Sequence, residues 1–175
     1  MKLFADSGFI IGLIHERDDY HDIASAIWNE LIENRIISGY NDLWITNYIM
    51  VEIFHHLQKN IFYRETVRHY NELQNCKQYQ IKKKQVDDAI RTKLRPFCNH
   101  HTGNPSIGLV DATSLYVMDI VKVPYILSFD EGFDHYPFSP RIGDVRDVEQ
   151  KLKRQSYYPH IAPFEYSLIN FCPVL

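Results

Sequence analysis

An aspartate ends the first apolar run of the chain, and few folds have a use for one there. The opening stretch, Leu3-Phe4-Ala5-Asp6-Ser7-Gly8-Phe9-Ile10-Ile11-Gly12-Leu13, reads as a short buried strand, a carboxylate at its end, and a turn into a short helix. Charged groups are almost never fully buried unless they are paired or bind a cation. As packing, the same residue would only cap the helix that follows. Asp6 is therefore the residue that the other acids must help to explain.

The rest of the chain alternates between strand-like and helix-like patterns. Ile23, Ala26, Ile27 and Leu31 recur at helical spacing and predict a helix from Tyr20 to about Asn34, started by Asp18 or Asp19. Leu43-Trp44-Ile45-Thr46 reads as a strand, and Thr46 or Asn47 then caps a helix through about Gln58. Ile49, Ile53 and Leu57 form its stripe, broadened by Met50 and Phe54, and Glu52 sits inside it. A helix near 65–74, a strand near 78–82 and a helix near 84–94 follow, the last ended by Pro96. After a loop over 100–105, Val110-Asp111-Ala112 opens another helix, and the apolar strand Val123 to Phe129 ends on Asp130. Residues 144–154 read as an exposed charged helix, and Tyr157 to Leu175 is Tyr/Pro-rich and aperiodic. Such alternation predicts one α/β domain with a mostly parallel central sheet flanked by helices.

Charge and cysteine usage narrow the class. The net charge of −3 excludes a polycationic chain. Yet residues 59–95 hold ten Lys or Arg against four acids, a net +6. Within that stretch Lys82-Lys83-Lys84 is either a solvated face or a phosphate-contacting patch that steers RNA. Phe62, Tyr63, Tyr70 and Tyr79 interleave with it and fit either the core or stacking on unpaired bases. Cys76, Cys98 and Cys172 are odd in number and lack CxxC spacing, which points to reduced thiols in a cytoplasm. Asp6 interrupts the N-terminal apolar run, which argues against a signal peptide. No apolar stretch reaches the roughly 18 residues that span a bilayer.

Four acids stand out: Asp6, Glu52, Asp111 and Asp130. In open α/β sheets, ligands bind in the crevice outside the carboxyl ends of the strands. Asp6 and Asp130 project there if their strands are parallel neighbours, and Asp111 reaches the same rim from a helix start. Converging carboxylates raise one another's pKa. A hard divalent ion such as Mg²⁺ relieves that repulsion through oxygen ligands, and it supports phosphodiester hydrolysis. Taken singly, each acid also has a plain reading: Asp111 as a first-turn helix acid, Asp130 as a turn residue, Glu52 as a solvated helix edge.

Four motifs in order carry a resemblance. Asp6-Ser7 follows the opening strand, Thr46 stands six residues before Glu52, Val110-Asp111-Ala112 opens a helix, and Ser128-x-Asp130-x-x-Phe133 follows the last strand. Together they resemble the PIN-domain family over roughly residues 1–136. The resemblance implies a PIN-like α/β fold and a metal-dependent ribonuclease, commonly the toxin of a toxin–antitoxin pair. It implies Mg²⁺ or Mn²⁺ held by Asp6, Asp111 and Asp130, with Glu52 as a further ligand or general base. Ser7 matches the small hydroxyl after the first Asp, Asp134 an occasional fifth acid, and Ser128 stands where the family usually has Thr. Residues 137–175 depart from a minimal member and are expected to pack on the same domain as a C-terminal extension. An RNA substrate, an antitoxin that offers a basic side chain to the acids, and a homodimer joining two basic patches are further implications.

Other readings are weaker. His55-His56 and His100-His101 suggest zinc, but adjacent helical residues point about 100° apart and do not converge as in HExxH. His56, one turn from Glu52, is placed to orient it, and His21 to approach the acids. No GxSxG, P-loop or GxGxxG occurs. A phosphotransferase using Asp6 as nucleophile needs a second Asp where Gly8 stands. A non-catalytic PIN-like module binding RNA or protein is the alternative to the nuclease.

Overall fold

Leu3, Phe4 and Ala5 are fully buried, as a strand covered on both faces must be. In the computed structural model, which describes residues 1–94, 107–136 and 140–153, they form the middle strand β1 (Leu3–Ala5) of a parallel sheet. Four more strands complete it: β2 (Leu43–Thr46), β3 (Lys77–Tyr79), β4 (Ile126–Leu127) and β5 (Arg141–Ile142). The order is β3-β2-β1-β4-β5, and every pairing is parallel. Phe4 is in register with Trp44 on one side and Ile126 on the other. The chain first builds outward through β2 and β3, then returns to the other side of β1. The crevice between β1 and β4 is thus the switch point where open α/β sheets bind ligands.

Helices cover both faces. They are α1 (Ser7–Ile14), α2 (His21–Glu33), α3 (Asn47–Asn60), α4 (Tyr63–Leu73), α5 (Lys83–Ala89), α6 (Leu109–Val121) and the short α7 (Val145–Asp147). A π-helical turn over Ile90–Leu94 extends α5, and another over Val148–Lys153 extends α7. Gly12 lets α1 and α2 approach closely: a Cβ there would lie 3.2 Å from the Cβ of Tyr20 and 3.3 Å from that of Ala24. The stripe of α3 falls as the sequence predicts, with Ile49, Met50, Ile53 and Leu57 buried. Thr46 caps α3, its Oγ1 accepting from the Ile49 N–H at 3.2 Å.

Several expectations need correction. The strands read as 78–82 and 123–129 contract to three and two residues. Asp18 does not cap α2 directly; its Oδ1 accepts from Tyr20 N in the turn before the helix. Residues 144–153 are not an exposed helix, because Val148 and Leu152 are buried and Lys153 pairs with Glu30 at 2.5 Å. Phe62 and Tyr63 do not enter the core, being 82% exposed each. Cys76 is a buried free thiol, pushed up to about 12 by desolvation. Pro96, Cys98, His100, His101 and the stretch 154–175 lie outside the described residues.

Thr46 is fully buried, so its loss removes a cap with no water to replace it. Thr46→Ala should lower stability by about 1–2 kcal/mol, read by denaturant unfolding, and Thr46→Ser should recover most of it.

Candidate catalytic site

Asp6 leaves β1 as the N-cap of α1, with 7% of its surface exposed. Its Oδ1 accepts from the Ser7 N–H at 2.7 Å, and its Oδ2 accepts from the Ser128 hydroxyl at 2.9 Å. The backbone holds the two strands in place here, with Asp6 N donating to the Leu127 carbonyl at 3.0 Å. Ser128 is fully buried just beyond β4, and its Oγ accepts in turn from Asp130 N at 3.1 Å. One hydroxyl therefore bridges the side chain of Asp6 and the backbone of Asp130. Asp130 Oδ1 accepts from Gly132 N at 2.7 Å and caps the turn Glu131–His135. Asp111, in the first turn of α6, accepts from Gly108 N through Oδ2 at 2.9 Å. The capping readings of Asp6, Asp111 and Asp130 are all real, and the caps are what aim these carboxylates.

Asp6, Glu52, Asp111 and Asp130 line one cavity of about 390 Å³, together with Ser7, Gly8, Tyr20 and Phe129. Glu52 reaches it half-buried from α3. Burial pushes Asp6 up to about 7, and the charges of Asp111 and Glu52 add to the rise, against the hydrogen bonds from Ser128 and Ser7. Asp111 is raised by burial, with the charges of Asp130 and Glu52 adding to it. These are carboxylates that share a field of negative charge with no basic partner in the cavity lining. The donor set is all oxygen and anionic, which suits a hard divalent cation. Tyr20 stacks on Phe129 at 4.5 Å and 8°, forming an aromatic wall beside the acids.

Other expected site residues stand elsewhere. Asp134 is taken by Arg141 in a two-pronged pair, at 2.9 and 2.7 Å, and that guanidinium holds its carboxyl below the usual range. Lys82, Lys83 and Lys84 are exposed at the start of α5. The segment before them is tied to the sheet rim, because Ile81 N donates to Asn47 Oδ1 at 2.7 Å. The lysines therefore share the carboxyl edge of the sheet with Asp6, two strands away. His21 turns from the acids and donates through Nδ1 to the Gly12 carbonyl at 2.8 Å. His56 faces His15 and not Glu52, and His55 accepts from Lys59. Two features escaped the sequence reading: the bridging role of Ser128, which its place two residues before Asp130 foreshadows, and the Tyr20–Phe129 wall, which has no sequence signal.

The family model of the PIN domain matches residues 3–139. Comparison of the sequence with curated proteins finds no match. Among solved structures, the chain is similar to the sarcin–ricin-loop-cleaving toxin VapC20 of Mycobacterium tuberculosis, at 19% identity and a TM-score of 0.60, over 78% of this chain and 96% of that one. It is also similar to a chain of a toxin–antitoxin complex from Klebsiella pneumoniae, at 14% identity and a TM-score of 0.55, over 80% of this chain and 96% of that one.

The raised Asp6 sets a stability profile. Between its ordinary value of 3.8 and about 7, folded protein holds a proton that unfolded chain releases. Stability of chelator-treated protein should therefore fall as pH rises through that window and level off above it. Asp6→Asn removes the burden and should stabilise the metal-free protein at pH 8 by of the order of 1–3 kcal/mol, with little difference at pH 4. Ser128→Ala deletes a donor that favours the ionised form, so its window should extend to higher pH, while Ser128→Thr restores the wild-type profile. Thermal melts across pH check both variants.

Proposed function

The chain belongs to the PIN-domain family, and from that premise we propose that it is a metal-dependent endoribonuclease that hydrolyses RNA phosphodiester bonds, the toxin of a toxin–antitoxin pair. The observation that carries the proposal is the single cavity lined by Asp6, Glu52, Asp111 and Asp130, with Asp6 pushed up to about 7 by burial and its acidic neighbours. Asp6, Asp111 and Asp130 would hold Mg²⁺ or Mn²⁺. Bound there, the ion supplies an activated water and neutralises charge on the phosphoryl oxygens.

The protein's own groups do the rest. Ser128 and Ser7 N hold Asp6 in one rotamer, so its oxygens are aimed before any ligand arrives. Glu52 serves as a further ligand or as the base that takes a proton from the attacking water. Tyr20, backed by Phe129, offers a flat face on which an unpaired base can stack. Lys82, Lys83 and Lys84 draw the phosphate backbone toward the rim. Residues 1–136 are taken as the nuclease domain and 137–175 as a C-terminal extension packed on it; for residues 141–142 the pairing of β5 with β4 supports this. Likeness to a toxin and to a toxin–antitoxin complex supports an antitoxin partner. A basic side chain is what such a partner needs to occupy the acids, and a homodimer is the proposed state. No helix among the described residues is long and apolar enough to cross a membrane. The proposed setting is cytoplasmic.

The test is cleavage of a mixed pool of structured and single-stranded RNAs with Mg²⁺, Mn²⁺ or EDTA. Cutting should require the ion and fall by more than about 100-fold in Asp6→Asn and in Asp111→Asn, since changes even one layer outside a metal site cost 10–100-fold. Cutting that persists in both variants marks a contaminating nuclease and removes the support. No cutting by wild type while RNA is still retained makes the protein a non-catalytic binding module.

A further inference from the structure

Beside the turn that leads from α1 to Tyr20, two histidines face each other. His15 ends α1, its backbone N–H donating to the Ile11 carbonyl at 2.9 Å. Asp18 follows in a tight turn closed by its own N–H on the His15 carbonyl at 2.9 Å. His56 comes from α3, 41 residues on, and sets its Nε2 3.4 Å from His15 Nδ1. The rings meet edge to face, with centroids 5.5 Å apart. Among the described residues, His15, Asp18 and His56 are the one trio of His, Cys, Asp or Glu whose ligand atoms all lie within 4.8 Å of one another.

We propose that His15, Asp18 and His56 form a second metal site, for a transition ion of the Zn²⁺ class, separate from the carboxylate cavity. Geometry and donor chemistry both favour it. A spacing of 3.4 Å is long for an N–H···N hydrogen bond between the rings. Two nitrogens bound at about 2.0–2.1 Å to one tetrahedral Zn²⁺ are about 3.3–3.4 Å apart. Two imidazoles and one carboxylate suit Zn²⁺ and its neighbours over Mg²⁺, so the two sites select different ions by donor type. Asp18 keeps one oxygen on Tyr20 N at 3.0 Å and has the other for the ion. His15 also lines a cleft with Glu16, Arg17, Glu65, Arg68 and His69, and a water would complete the ion's fourth position.

The consequence is a clamp. His15 and Asp18 belong to the α1–α2 connection, which delivers Tyr20 to the catalytic cavity. His56 lies one turn beyond Glu52 on α3. An ion joining the three ties together two elements that line the acidic site from different parts of the chain.

Full-length protein carrying both Asp6→Asn and Asp111→Asn, which weakens ion binding in the acidic cavity, is titrated with Co²⁺ and then Zn²⁺. One equivalent of Co²⁺ should develop the intense visible bands of tetrahedral coordination. Zn²⁺ should displace it and raise the melting temperature. Added singly, His15→Gln and His56→Gln should abolish the bands, while His55→Gln, on the outer face of α3, leaves them intact. Asp18→Asn, which can still accept from Tyr20 N, should weaken Co²⁺ binding by at least about tenfold; it carries the comparison if circular dichroism finds either histidine variant unfolded. Bands that survive in His15→Gln, His56→Gln and Asp18→Asn overturn the proposal. So does the absence of Co²⁺ and Zn²⁺ binding by calorimetry, which leaves a plain histidine pair.

Discussion

The hydrogen bond from Ser128 to Asp6 joins the two central strands at the point where the sheet changes direction. The placement of Asp6 in the acidic cavity depends on it. A carboxylate this deeply buried is costly in its charged form, and Ser7 and Ser128 supply its donors while no cation stands among the described residues lining the cavity. Burial and the neighbouring acids push this group up to about 7, so its charged form is held at a cost near neutral pH. A proton and a metal ion compete for the same oxygens. The site is therefore stored in a state that any suitable cation relieves, and the protein gives up stability at neutral pH to keep it so.

Helix caps do double duty around this centre. Asp6, Asp111 and Asp130 each accept a backbone N–H close to their own position in the chain. A cap fixes a side chain's rotamer because its partner is set by the backbone. Three short-range bonds thus fix three carboxylates that line one cavity. Glu52 lies mid-helix and is aimed only by the packing of α3, whose buried Ile49 and Ile53 flank it in sequence. That difference suits a group asked to move a proton better than one asked to hold an ion rigidly.

The alternation of apolar runs and helical stripes was enough to foresee a parallel sheet, because strands buried on both faces need crossover helices. The acids were legible for a related reason: a charge at the end of an apolar run conflicts with burial and announces itself. The strand Leu43–Thr46 was legible to the residue, but β4 was read too long and β5 not read at all, since each has two residues and carries no period. Asp134 looked like a fifth acid because nothing local reveals that Arg141 takes it. The exposure of Phe62 and Tyr63 was hidden too, since an aromatic at the start of a helix has the same sequence signature whichever way it faces. The meeting of His15 with His56 depends on how α1 packs against α3, and adjacent His55 drew attention to the wrong pair.

Charge placement bears on how an acidic cavity could take the polyanionic substrate proposed for it. The lysines at 82–84 begin α5 on the rim where β3 ends, and β3 is two strands from β1. Neighbouring strands are about 4.8 Å apart, so the lysines stand about 10 Å to the side. That is close to a Debye length of about 8–10 Å in physiological salt, near enough for their field to reach a phosphate at the cavity mouth. Alone, the four carboxylates repel that phosphate. On the proposed nuclease reading, a divalent ion among them would lessen that repulsion and let the lysine field count at the cavity mouth. Substrate docking and ion binding would then be coupled through electrostatics.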